Sequence, residues 1–420
     1  MQRNYRCHKL YQMKKPYLLL LSFLYASALF SQTPEVTSWI INVDGETGYD
    51  GILSNCMSVQ YSDNWVYVNC TCIPAYDIGP WPGNPNIPAD QDFLFKITRN
   101  PQENTGTPIA TSLGHIGVWT NGVTIFNAKD AMSYQNEATW NQNAIIVEAP
   151  SFDNCLGHPQ QQGEYHLHLN PTCLYDDTDA SVHAPIIGYA FDGFPIYGAY
   201  GYANPDGSGG IARMESSYQL RSITARETLP DGTALSASLY GPSIGGMYPL
   251  GYYIEDFEYV DGLGHLDAHN GRWCVTPEYP SGTYAYFVTI DENQDAVYPY
   301  TLGLTYYGTV PAGNTGMGSG HNTISETVET YTYIGEQPAQ RTFTLFPNPA
   351  DEHVAILLDS AQPEKYDVTL TDFFGRTVLA QKNVLISGQY YIDLQGFSSG
   401  MYFLKLSSGD QQYLQRLELR

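Results

Sequence analysis

In the run Gly163-Glu164-Tyr165-His166-Leu167-His168-Leu169-Asn170-Pro171, two histidines stand one residue apart. On a β-strand, side chains two apart point to the same side, so both imidazoles face one spot, as a metal site or a proton-transfer site requires. Zinc and copper take imidazole nitrogen at about 2.0 Å and call for three or four donors. A third is expected from His158 just upstream, from His183, or from His269. Asp192, in Phe-Asp-Gly-Phe-Pro-Ile-Tyr-Gly, and Glu164 are the candidate acid/base partners if the metal keeps an open position. Equally, Asp192 can be an aspartate closing the tight turn that Gly193 and Pro195 signal, and Arg272 either anchors an anion or pairs within its own loop.

Other chemistries are not spelled out. The cluster Asp176, Asp177 and Asp179 lacks the glycine and glutamate of an EF-hand, which leaves only a looser calcium site. No GxSxG, HExxH or phosphate-binding glycine loop occurs, although hydrolases without a signature stay open.

The elements that must position the histidines read as strands. Tyr (35), Gly (39) and Pro (26) are abundant, and short runs such as VYVNC, FLFKI, AIIVEA, YAYFVTI and TLGLTYYG recur between turn residues. The fold class expected is all-β: a large disulfide-containing β-domain over 36–310, a Gly/Ser/Thr/Asn-rich linker over 311–340, and a small β-sandwich over 341–420. Lys14 and Lys15 ahead of the apolar run Tyr17–Phe30, with small residues after it, have the layout of a signal peptide over 1–31. That run is short for a membrane span, and no later segment suits one.

Six cysteines remain once Cys7 leaves with the leader, and in an exported chain this favours disulfides. The hairpin geometry sets Cys56 opposite Cys70; Cys155 with Cys173 would close the histidine loop, leaving Cys72 for Cys274. A thiolate zinc site at Cys70 and Cys72 competes with that scheme. The formal charge of −24 becomes about −29 without the five Lys/Arg of the leader, a surface that repels nucleic acid and anionic lipid.

Two resemblances follow from longer stretches. Leu345–Ile356 (LFPNPADEHVAI), Val368–Leu379, Gly396–Leu406 and the terminal LELR resemble the C-terminal sorting domain of the type IX secretion system of Bacteroidetes bacteria. This implies a partner in that machinery and passage across the outer membrane to a secreted or surface-attached state. Trp81–Ile97, Gly114–Tyr134, Ser151–Pro171, Ile186–Gly201 and Leu266–Ile290 resemble the YHYH family, which implies a domain type but no activity. The naming motif reads Tyr165-His166-Leu167-His168 here, so both histidines are kept and the second tyrosine is not. Tyr284-Ala285-Tyr286-Phe287 stands where some relatives have a second Tyr-His pair. Two functions are therefore weighed: transition-metal binding by copper or zinc, and a tyrosine-rich module that binds a glycan or peptide.

Overall fold

A computed structural model describes residues 32–316, 318–332, 343–358, 364–372, 376–408 and 411–420. The expected signal peptide lies outside the described residues. As expected, the chain is built mainly of strands. Among the described residues no helix is long and apolar enough to cross a membrane.

The first sheet forms because its strands alternate. In Phe93–Thr98, Phe93, Phe95 and Ile97 are buried while the residues between them are not. This strand pairs with Trp65–Cys70, which pairs in turn with Cys56–Tyr61. The fourth strand, Glu329–Thr330, comes from the stretch expected to be a linker. Among its described residues, the stretch is also anchored near its start. Asn314 is 1% exposed, and its amide clamps Lys96 through the backbone N (3.0 Å) and O.

The second sheet is mixed and has eight strands, ordered Gly271–Cys274, Thr283–Phe287, Pro195–Tyr197, Ile186–Ala190, His115–Trp119, Thr124–Phe126, Tyr165–Leu167 and Gly157–Pro159. Side chains from both sheets share one core, in which Val68, Phe95, Val118, Trp119, Tyr189 and Ile196 are fully buried. The histidine strands Tyr165–Leu167 and Gly157–Pro159 lie at one edge.

One expected strand is a helix. AIIVEA supplies the short helix Ala144–Glu148, started by Asn143, whose side chain accepts from Ile145 N. A distant loop fixes its position. Asn143 N donates to Tyr252 O and Asn141 N to Glu255, 114 residues away. That loop is held by Arg226, fully buried, which donates to Asp256 at 2.8 and 2.7 Å and to the carbonyls of Pro242, Tyr248 and Pro249.

Cys155 and Cys173 form the expected disulfide. The other two pairings are corrected, since Cys56, Cys70, Cys72 and Cys274 are buried thiols. Cys56 and Cys70 do face each other in the hairpin register, but unbonded. Cys72 turns its sulfur to Tyr165 O at 3.1 Å, whereas Cys274 sits at the opposite edge of the sheet, beyond the roughly 7 Å Cα reach of a bridge.

The C-terminal unit packs Phe343–Phe346, His353–Leu358 and Gln389–Asp393 as one sheet. Thr377–Ile386, Glu364–Asp372, Gly400–Ser408 and Gln411–Leu419 form another. A core that includes Val354, Ile356, Val368, Leu404 and Leu417 lies within this unit.

Removing one partner of a buried ion pair leaves the other charge uncompensated. Arg226→Met should therefore lower unfolding free energy by about 3–5 kcal/mol in urea titrations, and a loss under 1 kcal/mol would contradict this role.

Candidate metal centre

Alternation along Tyr165–Leu167 sends Tyr165 and Leu167 into the core, both with no exposed surface, and turns His166 and His168 to the other face. The antiparallel neighbour Gly157–Pro159 sets His158 directly across from His166. From the side, the helix Ala144–Glu148 presents its last residue. The four side chains converge: one donor atom each from Glu148, His158, His166 and His168 lies within 4.8 Å of every other. His158 Nε2 is 3.1 Å from His166 Nε2, and Glu148 Oε2 is 2.9 Å from His158 Nε2 and 3.1 Å from His168 Nε2.

The opposite edge of each ring fixes its tautomer. His168 Nδ1 lies 2.6 Å from Asn127 O and His166 Nδ1 3.3 Å from Glu164 O; carbonyls only accept, so both Nδ1 atoms donate. His158 Nδ1 is 2.7 Å from Ser151 Oγ, whose proton goes to Glu148 O at 2.8 Å, so this Nδ1 donates as well. In the neutral rings all three Nε2 atoms then carry lone pairs, and they face one another and a carboxylate. Burial, followed by the charges of His158 and His168, holds the His166 pKa well below its ordinary value. Burial also opposes charge on His168, but the Glu148 carboxylate outweighs it and raises that pKa. Burial would lift Glu148 itself; hydrogen bonding to His158 and His168, which those rings offer when protonated, reverses this and holds it far below the usual carboxylate range.

Aromatic rings wall the site. Phe126 stacks on His166 with centroids 3.9 Å apart, and Phe152 lies against His158 and His168. Beneath it, Asp153 collects the N–H groups of Cys155, Gly157 and Gly79, the Trp81 indole and the Tyr165 hydroxyl. The disulfide tethers this turn. Gly163 is required at the hairpin tip: its φ is +84° and a Cβ there would meet Ala89 and Ile87 at 2.8 Å.

Residues 94–298 match the family described as YHYH protein, and residues 344–419 match the secretion system C-terminal sorting domain. The chain is a YHYH-domain protein with a sorting tail. Comparison with curated proteins finds no match. The tail marks it for the type IX machinery and for a secreted or surface-attached state.

Of the YHYH domain's expected site residues, the structure gathers His158, His166 and His168. His183 instead rests between Tyr197 and Tyr202, its Nδ1 2.7 Å from Ala184 O. His269 is bound to Thr305. Neither candidate acid/base group joins the cluster: Glu164 spends its carboxylate on His115 (2.8 Å) and Gln160, and Asp192, fully buried, accepts from Tyr286 OH (2.6 Å), Gly308 N and Phe194 N. Arg272 binds the Tyr202 and Ala203 carbonyls outside its own loop. Asp176 and Asp179 cap their own turns through Thr178 and Ser181, and Asp177 binds Asn170 and Tyr175, so they do not converge on a calcium site. Glu148 is the member that sequence reading missed.

Burial raises the Asp192 pKa to about 6 from 3.8, against the hydrogen bonds that oppose it. Between those values the native state holds more protons than the unfolded chain, so this group favours folding increasingly as pH falls through the window. Between pH 7.5 and 4.5 the stability of wild type relative to Asp192→Asn should rise by about 2 kcal/mol. An unchanged gap in paired denaturation curves would refute the assignment.

Proposed function

We propose that the YHYH domain binds one transition-metal ion, zinc or copper, through Nε2 of His158, His166 and His168 and Oε2 of Glu148. The observation that supports this most strongly is the convergence of four acceptors with every Nδ1 proton already committed elsewhere. A cation is what such a set lacks. The spacing is consistent with one: tetrahedral donors at about 2.0–2.1 Å from an ion stand about 3.3 Å apart, against the 2.9–3.1 Å of the close pairs. Imidazole with one carboxylate suits zinc and copper. The Nδ1 acceptors are the outer-shell partners that orient metal-bound imidazoles. Glu148, with 21% of its side chain exposed, marks the side of entry.

With the leader read as the first export step and the tail as the second, the metal site belongs to a secreted or surface-attached protein. The alternative of a tyrosine-lined glycan- or peptide-binding module draws no support from the histidines, which converge instead of diverging beneath a groove.

Elemental analysis of the full exported chain, after incubation with zinc or copper and desalting, should find about one ion per chain, lost in His166→Ala/His168→Ala. No retained metal in the wild type would end the proposal. Ser151→Ala, which removes the acceptor at His158 Nδ1 together with the hydroxyl's bond to Glu148 O, should weaken binding roughly 10–100-fold in chelator competition. Affinity should fall as pH drops through the imidazole range, because only neutral rings ligate.

A further inference from the structure

The eight-stranded sheet reads the same from both edges. Its pairing sense runs antiparallel, parallel, antiparallel, then one central antiparallel pair, then antiparallel, parallel, antiparallel. In the central pair Val118 lies opposite Tyr189, flanked by Gly117 and Ala190 on one side and Trp119 and Gly188 on the other. A Cβ on Gly117 would meet Tyr189 O at 2.8 Å, and one on Gly188 would meet Val118 O at 2.8 Å. A local two-fold axis therefore passes between Val118 and Tyr189.

The details repeat across that axis. The turn at Asn121-Gly122 closes with Gly122 N to Trp119 O (2.8 Å), and the turn at Asp192-Gly193 with Gly193 N to Ala190 O (2.9 Å). Each leads into a two-stranded ribbon, Lys129–Ser133 with Asn141–Asn143 and Tyr200–Tyr202 with Ile211–Arg213. The ribbons end alike, in Ala144 N to Ala128 O (2.9 Å) and Met214 N to Ala199 O (2.8 Å).

Next comes an aspartate turn. Asp153 accepts from Gly157 N and the Tyr165 hydroxyl; Asp267 accepts from Gly271 N and the Tyr284 hydroxyl. Leu156 and Asn270, just before the two glycines, hold φ of 66° and 65°. A Cβ would strike the tyrosine hydroxyl at 2.3 Å from Gly157 and at 2.5 Å from Gly271.

These anchors fix which residues correspond. Tyr284 takes the place of Tyr165, so Ala285 and Phe287 stand for His166 and His168; Gly271 takes the place of Gly157, so Arg272 stands for His158. The cross-strand register agrees, with His158 opposite His166 and Arg272 opposite Ala285. Phe126, whose ring meets His168 edge-on with centroids 5.8 Å apart, corresponds to Tyr197, whose ring lies against Phe287 at 5.6 Å.

The Arg272 guanidinium lies 5.7 Å over the Phe287 ring and donates to the carbonyls of Tyr202 and Ala203. It is 8% exposed. We infer that the YHYH domain is two copies of one unit, and that Arg272 supplies in the second copy the positive charge that a metal ion supplies in the first. This rests on the metal reading of the His158 site. It limits the wild type to one ion and makes the second basin convertible to a metal site.

The test is gain of binding. Arg272→His/Ala285→His/Phe287→His, and the less crowded Arg272→His/Phe287→His, are titrated with zinc by calorimetry and with Cu(II) by electron paramagnetic resonance. Circular dichroism verifies folding. One added equivalent over wild type, with nitrogen coupling at copper, is the expected result. Because the count is a difference from wild type, it is read separately from the first site: an empty wild type would refute the metal reading alone. No added equivalent in a folded variant overturns the inference. Arg272→Met covers the case in which neither variant folds. It should lower the melting temperature, with partial recovery in Arg272→Lys, and a wild-type melting temperature would equally overturn the inference.

Discussion

Like groups resist being gathered. Three imidazole lone pairs and a carboxylate oxygen held a few ångströms apart, largely out of water, repel one another unless a positive charge sits among them. The chain nonetheless invests much structure in gathering them. The hairpin register sets His158 across from His166, strand alternation aligns His168, and the capped helix Ala144–Glu148 delivers the carboxylate. Each ring is prevented from turning its proton inward by an acceptor at Nδ1. The Asp153 hub, the disulfide and the aromatic walls hold the backbone beneath against that repulsion. A cation would convert this stored conflict into binding energy.

Across the two-fold axis the gathered lone pairs are replaced. There the fold keeps the aspartate turn and the tyrosine on the glycine, but places Arg272, Ala285 and Phe287 where the first half places three imidazoles. The acidic surface, formally −24 for the whole chain, would raise the local concentration of cations around the first half.

Much of the site was legible in the sequence because its signal is local. His-x-His states its own geometry on a strand, and Gly-His-Pro eight residues earlier lies within one hairpin. Glu148 was not legible for a definite reason: AIIVEA is an apolar run too short to separate strand from helix by period. What decides for helix is Asn143 together with the loop at 251–255, more than a hundred residues away. The packed path of Asn314 was hidden likewise, since a stretch rich in Gly, Ser, Thr and Asn reads as a linker until its amides find backbone partners. The duplication escaped notice because its shared residues are a few glycines, aspartates and tyrosines at unequal spacing. Geometry carries it, and sequence hardly does.

X-ray absorption at the metal edge of the zinc- or copper-loaded protein tests the central claim most directly. The account predicts a first shell of nitrogen and oxygen at about 2.0–2.1 Å, with outer-ring scattering from three imidazoles. A sulfur shell near 2.3 Å would place the ion at the buried thiols instead, and fewer than two imidazoles would contradict the account outright.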